Sequence, residues 1–264
     1  MDLQLKGKVA FVSGSTKGIG FAIAKQLLQE GAIVIINGRQ NEVVEAAVEK
    51  LRAEVAGAQV SGIAADFAKV EEVDHLLTHL PETDILINNA GIFEPKAFAD
   101  ITDSEWLRYF EVNVLSGIRL SRELFPKMLT KNWGRIIFIT SESALNVPEE
   151  MIHYGTTKTA IHAVSRGLAE LTKGSAVTVN TIMPGPTASE GVVEFVKQLA
   201  TEKGISLEAA EEEFFKTMRP SSLIQRFSEV GEIANMVAYI SSPLSSSTNG
   251  SSIRVDGGVI KSVF

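Results

Sequence analysis

The sequence predicts a doubly wound α/β fold, one parallel sheet of about seven strands with helices on both faces. Three observations predict it. Strand-like and helix-like segments alternate along nearly the whole chain; the strands are continuously apolar instead of alternating; and a glycine-rich turn joins the first strand to the first helix.

The elements follow in order. Lys8 to Ser13 reads as a buried strand, and Gly18 to Glu30 as a helix with apolar spacing at Ile19, Ala22, Ile23 and Leu27. Ala32 to Asn37 is a second strand, and Asn41 to Val55 a helix with Asn41 placed to cap it. Gln59 to Ala64, Asp84 to Asn88, Arg135 to Thr140, Val177 to Ile182 and Ser252 to Val255 complete the strands. Helices are expected near Glu71 to His79, Ser104 to Leu129, Ile152 to Lys173, Gly191 to Lys203, Leu207 to Met218 and Glu229 to Ile240. No repeat and no linker divides residues 1–264, so one dinucleotide-binding domain is expected. The stretch 187–222 inserts two helical patterns between a Pro-Gly turn and Pro220, the size of a substrate-covering lid.

Composition narrows the function. The 264 residues carry 25 Lys plus Arg against 32 Asp plus Glu, a formal charge of -7. A chain this acidic lacks the basic surface that a general grip on nucleic acid needs. Its aliphatic runs, such as Ala32 to Ile36, are too short to cross a bilayer, and no secretion signal is visible, so a cytoplasmic protein is expected. With no Cys there is no disulfide framework, thiolate nucleophile or Cys-based zinc site.

The turn Gly14-Ser15-Thr16-Lys17-Gly18-Ile19-Gly20 sits between strand and helix, where glycines let a pyrophosphate approach the helix N-terminus. Its spacing, Gly-x3-Gly-x-Gly, differs from the usual dinucleotide fingerprint. At the end of the second strand, where an acid would bind the ribose of NAD, stand Asn37-Gly38-Arg39. Gly38 is expected to leave room, and Arg39 and Lys17 to meet the 2′-phosphate of NADP(H).

Tyr154 and Lys158 lie four apart on one helical face, and Ser141 follows the strand Arg135 to Thr140, at the edge where such sheets bind ligands. A free phenol, with a pKa of about 10, is a poor base at neutral pH. One cation ~4 Å away at an effective dielectric near ~20 is worth ~4 kcal/mol, or roughly three pKa units. Lys158 is therefore expected to bring Tyr154 towards pH 7.

These residues resemble the short-chain dehydrogenase/reductase superfamily over essentially the whole chain. The resemblance rests on the Gly14/Gly18/Gly20 turn, Asn88-Asn89-Ala90-Gly91, Asn113 in Glu111-Val-Asn-Val, Ser141, Tyr154-x3-Lys158, Pro184-Gly185 and Val255-Asp256-Gly257-Gly258. Two departures are small: Thr140 stands where many relatives have Ser or Gly, and Ser189 where Thr is frequent. The resemblance implies a Rossmann fold and a catalytic tetrad of Asn113, Ser141, Tyr154 and Lys158. It implies that Asp66 and Phe67 lie beside adenine, that Asn88, Ala90 and Gly91 line the cofactor cleft, and that Pro184, Gly185, Thr187 and Ser189 face the nicotinamide. The implied reaction is hydride transfer between NADP(H) and a carbonyl or alcohol. Ser141 would bond the substrate oxygen and Tyr154 would shuttle its proton. Lys158 would hold the nicotinamide ribose, and Asn113 a water leading to Lys158.

No metal is required. His75 and His79 read as a solvated face, His162 as packing, and His153 and Glu142 as a polar rim that could touch substrate. The pocket is expected near Phe93, Glu94, Leu145, Asn146, His153, Thr187 and the lid up to Ser222, which favours no single substrate class. Two other readings compete: a nucleotide-sensing binding protein without turnover, which would have no need of Tyr154 with Lys158, and an epimerase or dehydratase using bound nicotinamide. Apolar residues on more than one face of the two long helices (Phe110, Leu115, Ile118, Ile161, Val164, Leu168) point to a symmetric partner, and the resemblance implies a homotetramer before a homodimer.

Overall fold

The computed structural model describes residues 1–263. Seven parallel strands form one sheet in the order β3-β2-β1-β4-β5-β6-β7. They are β1 (Val9–Val12), β2 (Ile33–Gly38), β3 (Gln59–Ala64), β4 (Ile85–Asn88), β5 (Gly134–Ile139), β6 (Val177–Pro184) and β7 (Ser252–Val255). β1 pairs with β2 on one side and β4 on the other, so the strand order reverses at β1. The crevice beyond the strand ends at such a reversal is the ligand-binding edge of this architecture.

Both faces of the sheet are covered, which explains the uninterrupted apolar strands. Successive strand residues point to opposite faces. Ala10 and Val12 join one core cluster with α1 (Gly18–Gln29), α2 (Asn41–Glu54) and α9 (Val230–Ser241). Phe11 joins the other with α3 (Val70–His79), α5 (Ser116–Lys131) and α6 (Ile152–Glu170). The expected elements are present with end shifts of a few residues, and two local expectations fail. Asn41 does not cap α2: it is the helix's first residue, and Gln40 holds the cap position without a side-chain bond. The helix expected from Ser104 to Leu129 is two helices, α4 (Asp103–Phe110) and α5, joined by a π-helical turn at Glu111–Leu115. Thr102 and Glu105 close the start of α4 as a capping box. A π turn inserts a residue without ending the helix, so apolar spacing alone passes over it.

Residues 187–222 carry α7 (Glu190–Lys203) and α8 (Leu207–Thr217), which share a small core of Val196, Ala200, Ala210, Phe214, Phe215 and Phe227. A parallel bridge between Thr187 and Ser228 closes the base of this excursion.

Candidate active site

The glycine turn is held by hydrogen bonds of Ser15, Asn37 and Asn89. Ser15 Oγ donates to Val12 O at 2.6 Å and accepts from Asn37 N at 3.0 Å. The Gly14 amide donates to Asn37 Oδ1 at 3.1 Å, and Asn89 Nδ2 donates to the carbonyls of Ser13 and Gly14. Gly14 and Gly18 take φ of +58 and +60, a region costly for other residues. A Cβ on Gly20 would stand 2.5 Å from both Gly14 O and Asn89 Nδ2, so only glycine lets helix and turn meet. No side chain caps the start of α1 and no acid lies in its first turn. That helix end is thus shaped for an anion such as the pyrophosphate of a dinucleotide.

Of the residues expected around this turn, Lys17 and Arg39 are exposed and make no ion pair among the described residues. Gly38 does not leave room: a Cβ there would lie 2.6 Å from Thr16 Cγ2 and 3.1 Å from Val44 Cγ2. Phe67, expected beside adenine, puts its side chain into the core with Val73 and Leu76, as its apolar ring demands. Asp66 Oδ1 accepts from the Ala68 amide at 3.0 Å. Asn88 Nδ2 donates to Ser121 Oγ on α5 at 3.3 Å, its Oδ1 has no partner among the described residues, and Asn89 braces the turn. Gly185 is needed for a close approach, since a Cβ would stand 2.6 Å from Asp256 O.

The four residues expected to form a tetrad converge at the same sheet edge. Ser141 follows β5, and its Oγ accepts from the Ser143 amide at 3.1 Å. Tyr154 and Lys158 rise from α6. Asn113 comes from the π turn; its Oδ1 accepts from Ile92 N at 2.8 Å, and its Nδ2 donates to Ile92 O and Thr157 Oγ1, each at 3.0 Å. A Cβ on Gly91 would meet Lys158 Nζ at 3.4 Å and Asn113 Oδ1 at 3.5 Å, which puts these two groups around one glycine.

The electrostatics differ from the sequence expectation. Lys158 Nζ is buried and donates to Ile139 O at 3.0 Å, and burial lowers its pKa to about 8. The Tyr154 phenol is pushed up to about 12, chiefly by burial, with a further rise from Glu142 and an opposing pull from the Ser141 hydroxyl. A cation that is itself desolvated, and 5.5 Å from the ring centroid, does not offset the loss of water around the phenol.

Ser141, Tyr154 and Thr187 line a cavity of about 310 Å³ with Phe93, Phe195 and Phe214. Phe93 stacks edge-on to Tyr154 at 6.1 Å. Glu94 also reaches this cavity; Leu145 and Asn146 instead border a separate surface groove with Met218 and Pro220. His153 is not on a polar rim: it is 2% exposed, packed against Trp106 and Tyr109, and burial lowers its pKa. Ser222 is buried outside the cavity. His162 is held by Ser252 Oγ at 2.9 Å, and His75 and His79 stack on each other. Among the described residues no group of three or more His, Cys, Asp or Glu could hold a metal, and no helix is long and apolar enough to cross a membrane.

Glu142 is buried too, and Arg219, at the end of the inserted segment, donates through Nε to its Oε1 at 2.7 Å. Arg219 escaped the sequence reading, as did the aromatic wall of Phe195, Phe214 and Phe227. The available signal was a carboxylate beside Ser141, which needs a cation if it is buried.

Comparison with known proteins agrees with this architecture. A family model described as short chain dehydrogenase matches residues 8–200. The uncharacterized oxidoreductase YvaG of Bacillus subtilis (strain 168) is 48% identical over 264 residues, covering 100% of both chains. The 3-oxoacyl-[acyl-carrier-protein] reductase FabG of Aquifex aeolicus is 30% identical over 263 residues, 98% of this chain and 100% of that protein. The crystal structure of L-sorbose reductase from Gluconobacter frateurii, complexed with NADPH and L-sorbose, superposes with a TM-score of 0.93 at 30% identity, covering 100% of both chains.

Proposed function

The chain belongs to the short-chain dehydrogenase family, and from that premise we propose that it is an NADP(H)-dependent oxidoreductase acting on a carbonyl or alcohol. One observation carries the reading: Ser141 and Tyr154 line one apolar cavity, and Lys158 is buried behind Tyr154 with its Nζ 5.5 Å from the centre of that ring. NADP(H), when bound, supplies or accepts the hydride. The uncapped start of α1 would hold its pyrophosphate, and Lys17 and Arg39 its 2′-phosphate. Two of the similar proteins are named as reductases, one of them complexed with NADPH, which supports this cofactor and the direction of reduction.

In reduction, Ser141 Oγ would donate to the substrate carbonyl oxygen. As the carbon gains its new C–H bond, the π pair moves to that oxygen, which takes the Tyr154 proton. A phenol with a pKa of about 12 stays protonated at neutral pH and is an acid ready to donate. The phenolate left behind recovers a proton downhill from Lys158, whose ammonium has a pKa of about 8. Asn113, bonded to Ile92 and Thr157, would fix the π turn beside Lys158 and present Oδ1 to a relaying water. The segment 187–222 would cover the substrate.

The test is a panel of aldehydes and ketones with NADPH, followed by the loss of its absorbance. Stoichiometric consumption with at least one member is expected. Tight NADPH binding without consumption by any carbonyl, or by any alcohol with NADP, would leave the nucleotide-sensing reading instead.

A further inference from the structure

Within the cavity that holds Ser141 and Tyr154, the polar wall is an ion pair whose donors and acceptors are not all used. Glu142 and Arg219 have side chains only 4% and 9% exposed. Oε1 of Glu142 accepts from Arg219 Nε at 2.7 Å and lies 3.5 Å from Ser143 Oγ. Oε2 is buried with no partner among the described residues. Arg219 donates through Nη1 to Met218 O at 2.8 Å, and Nη2 has no hydrogen bond among the described residues. The guanidinium also stands 5.9 Å from the Phe214 ring, so its position is over-determined.

A buried carboxylate can accept about four hydrogen bonds, and an oxygen left without any is costly. The hydroxyls that share this cavity, among them Ser141, Ser143, Tyr154 and Thr187, make no hydrogen bond to Oε2, and the rest of the wall includes the apolar rings of Phe93, Phe195, Phe214 and Phe227. We propose that Glu142, held in place by Arg219, determines specificity by binding a hydroxyl of the substrate close to the reacting carbonyl, so that the substrate class is hydroxyketones. The inference rests on the oxidoreductase reading above.

The chemistry of the pair selects a hydroxyl over other polar groups. A hydroxyl donates to Oε2 and can accept from Nη2 at once. A substrate carboxylate would meet Glu142 as a like charge, and an ammonium would meet Arg219 in the same way. Ser141 and Glu142 are chain neighbours, with Cα atoms ~3.8 Å apart. Glu142 lines the same cavity as Ser141 and Tyr154, which sets a hydroxyl bound there on the side of the reacting carbonyl. Oε2 is covered, so the carboxylate must turn about its Cγ–Cδ bond for a hydroxyl to reach it, shifting Oε1 against Arg219 Nε.

The experiment compares 3-hydroxybutan-2-one with butan-2-one as substrates, with NADPH, in the wild type and in Glu142→Gln. The wild type should prefer the hydroxyketone by about 10- to 100-fold in kcat/KM, the worth of one hydrogen bond to a charged group. Glu142→Gln should bring the two within about threefold, mainly by loss of activity on the hydroxyketone. A purely structural pair would lower both substrates alike and leave the ratio where it was, and that result overturns the inference. So does a wild-type ratio near one, which needs no variant. Thermal-shift titration of the two ketones into the NADP-bound wild type repeats the comparison without turnover, and equal shifts count against the inference too. If no carbonyl of any kind consumes NADPH, the oxidoreductase reading fails and the inference fails with it; if plain ketones are reduced as well as hydroxyketones, only the inference fails.

Discussion

Lys158 Nζ stands 5.5 Å from the centre of the Tyr154 ring and makes its protein hydrogen bond to the Ile139 carbonyl. Spacing on the helix puts the two side chains on one face, but burial acts on both in opposite senses. It lowers the ammonium pKa to about 8 and raises that of the phenol to about 12. Burial, more than the neighbouring charge, sets both values.

Tyr154→Phe should lower kcat by about 100- to 10,000-fold, the range for a positioned proton donor, while NADPH affinity changes little. The phenyl ring keeps its edge-on contact with Phe93 and loses the hydroxyl. Steady-state rates with cofactor titration by fluorescence check this; half the wild-type rate in the variant would rule Tyr154 out as the donor.

The two directions should respond differently to pH. Reduction uses protonated Tyr154, which persists well below pH 12, so the rate should be flat across neutral pH until Lys158 deprotonates near 8. Alcohol oxidation uses the phenolate, whose fraction grows about tenfold per pH unit below the pKa, so that direction should climb into the alkaline range. Initial rates from pH 6 to 10 decide it, and an oxidation rate that peaks at neutral pH would contradict it.

Arg39→Ala should weaken NADPH about tenfold or more at low salt and leave NADH nearly unchanged, with the difference shrinking as salt rises. Gly38→Asp should weaken both cofactors, because its Cβ would press on Thr16 of the glycine turn. A switch towards NADH is better sought by Arg39→Asp. Fluorescence titration of both reduced cofactors into each variant tests this; NADPH affinity unchanged in Arg39→Ala would mean that Arg39 stays in solvent.

Lys158 carries a pH-dependent stability term. Its folded pKa of about 8 lies below the ordinary 10.5, so between these values the unfolded chain binds a proton that the folded chain does not. Stability then rises with pH across that window, and below 8 the fold bears the full cost of the buried ammonium. Lys158→Met removes the term. Its stability relative to the wild type should fall by about 3 kcal/mol as pH goes from 7 to 10.5. Urea unfolding of both proteins at the two pH values measures it, and a constant difference would show that Lys158 titrates normally.

An assembly, a tetramer before a dimer, is expected through the outer sides of α5 and α6. Ile161 is buried in the core, but Phe110, Ile118, Val164 and Leu168 pack against the core and are only partly covered. Light scattering at micromolar concentration should give a multiple of the chain mass, and Val164→Asp should reduce it. A monomer in the wild type would end this expectation.

What could be read from the sequence was whatever depends on near neighbours in the chain. Continuous apolar runs imply a sheet covered on both faces, and the glycines at 14, 18 and 20 mark a turn that only they can make. The four-residue step from Tyr154 to Lys158 places them on one helical face. Tertiary structure decided what depends on solvent and on distant partners. The π turn under Asn113, the methyl of Thr16 filling the space beside Gly38, and the reversal of the expected Tyr154 shift all arise from packing. Glu142 and Arg219 are 77 residues apart, and no local pattern joins them. A buried charge must find its counter-charge wherever the fold brings one, because desolvation acts on the folded molecule and not on the chain.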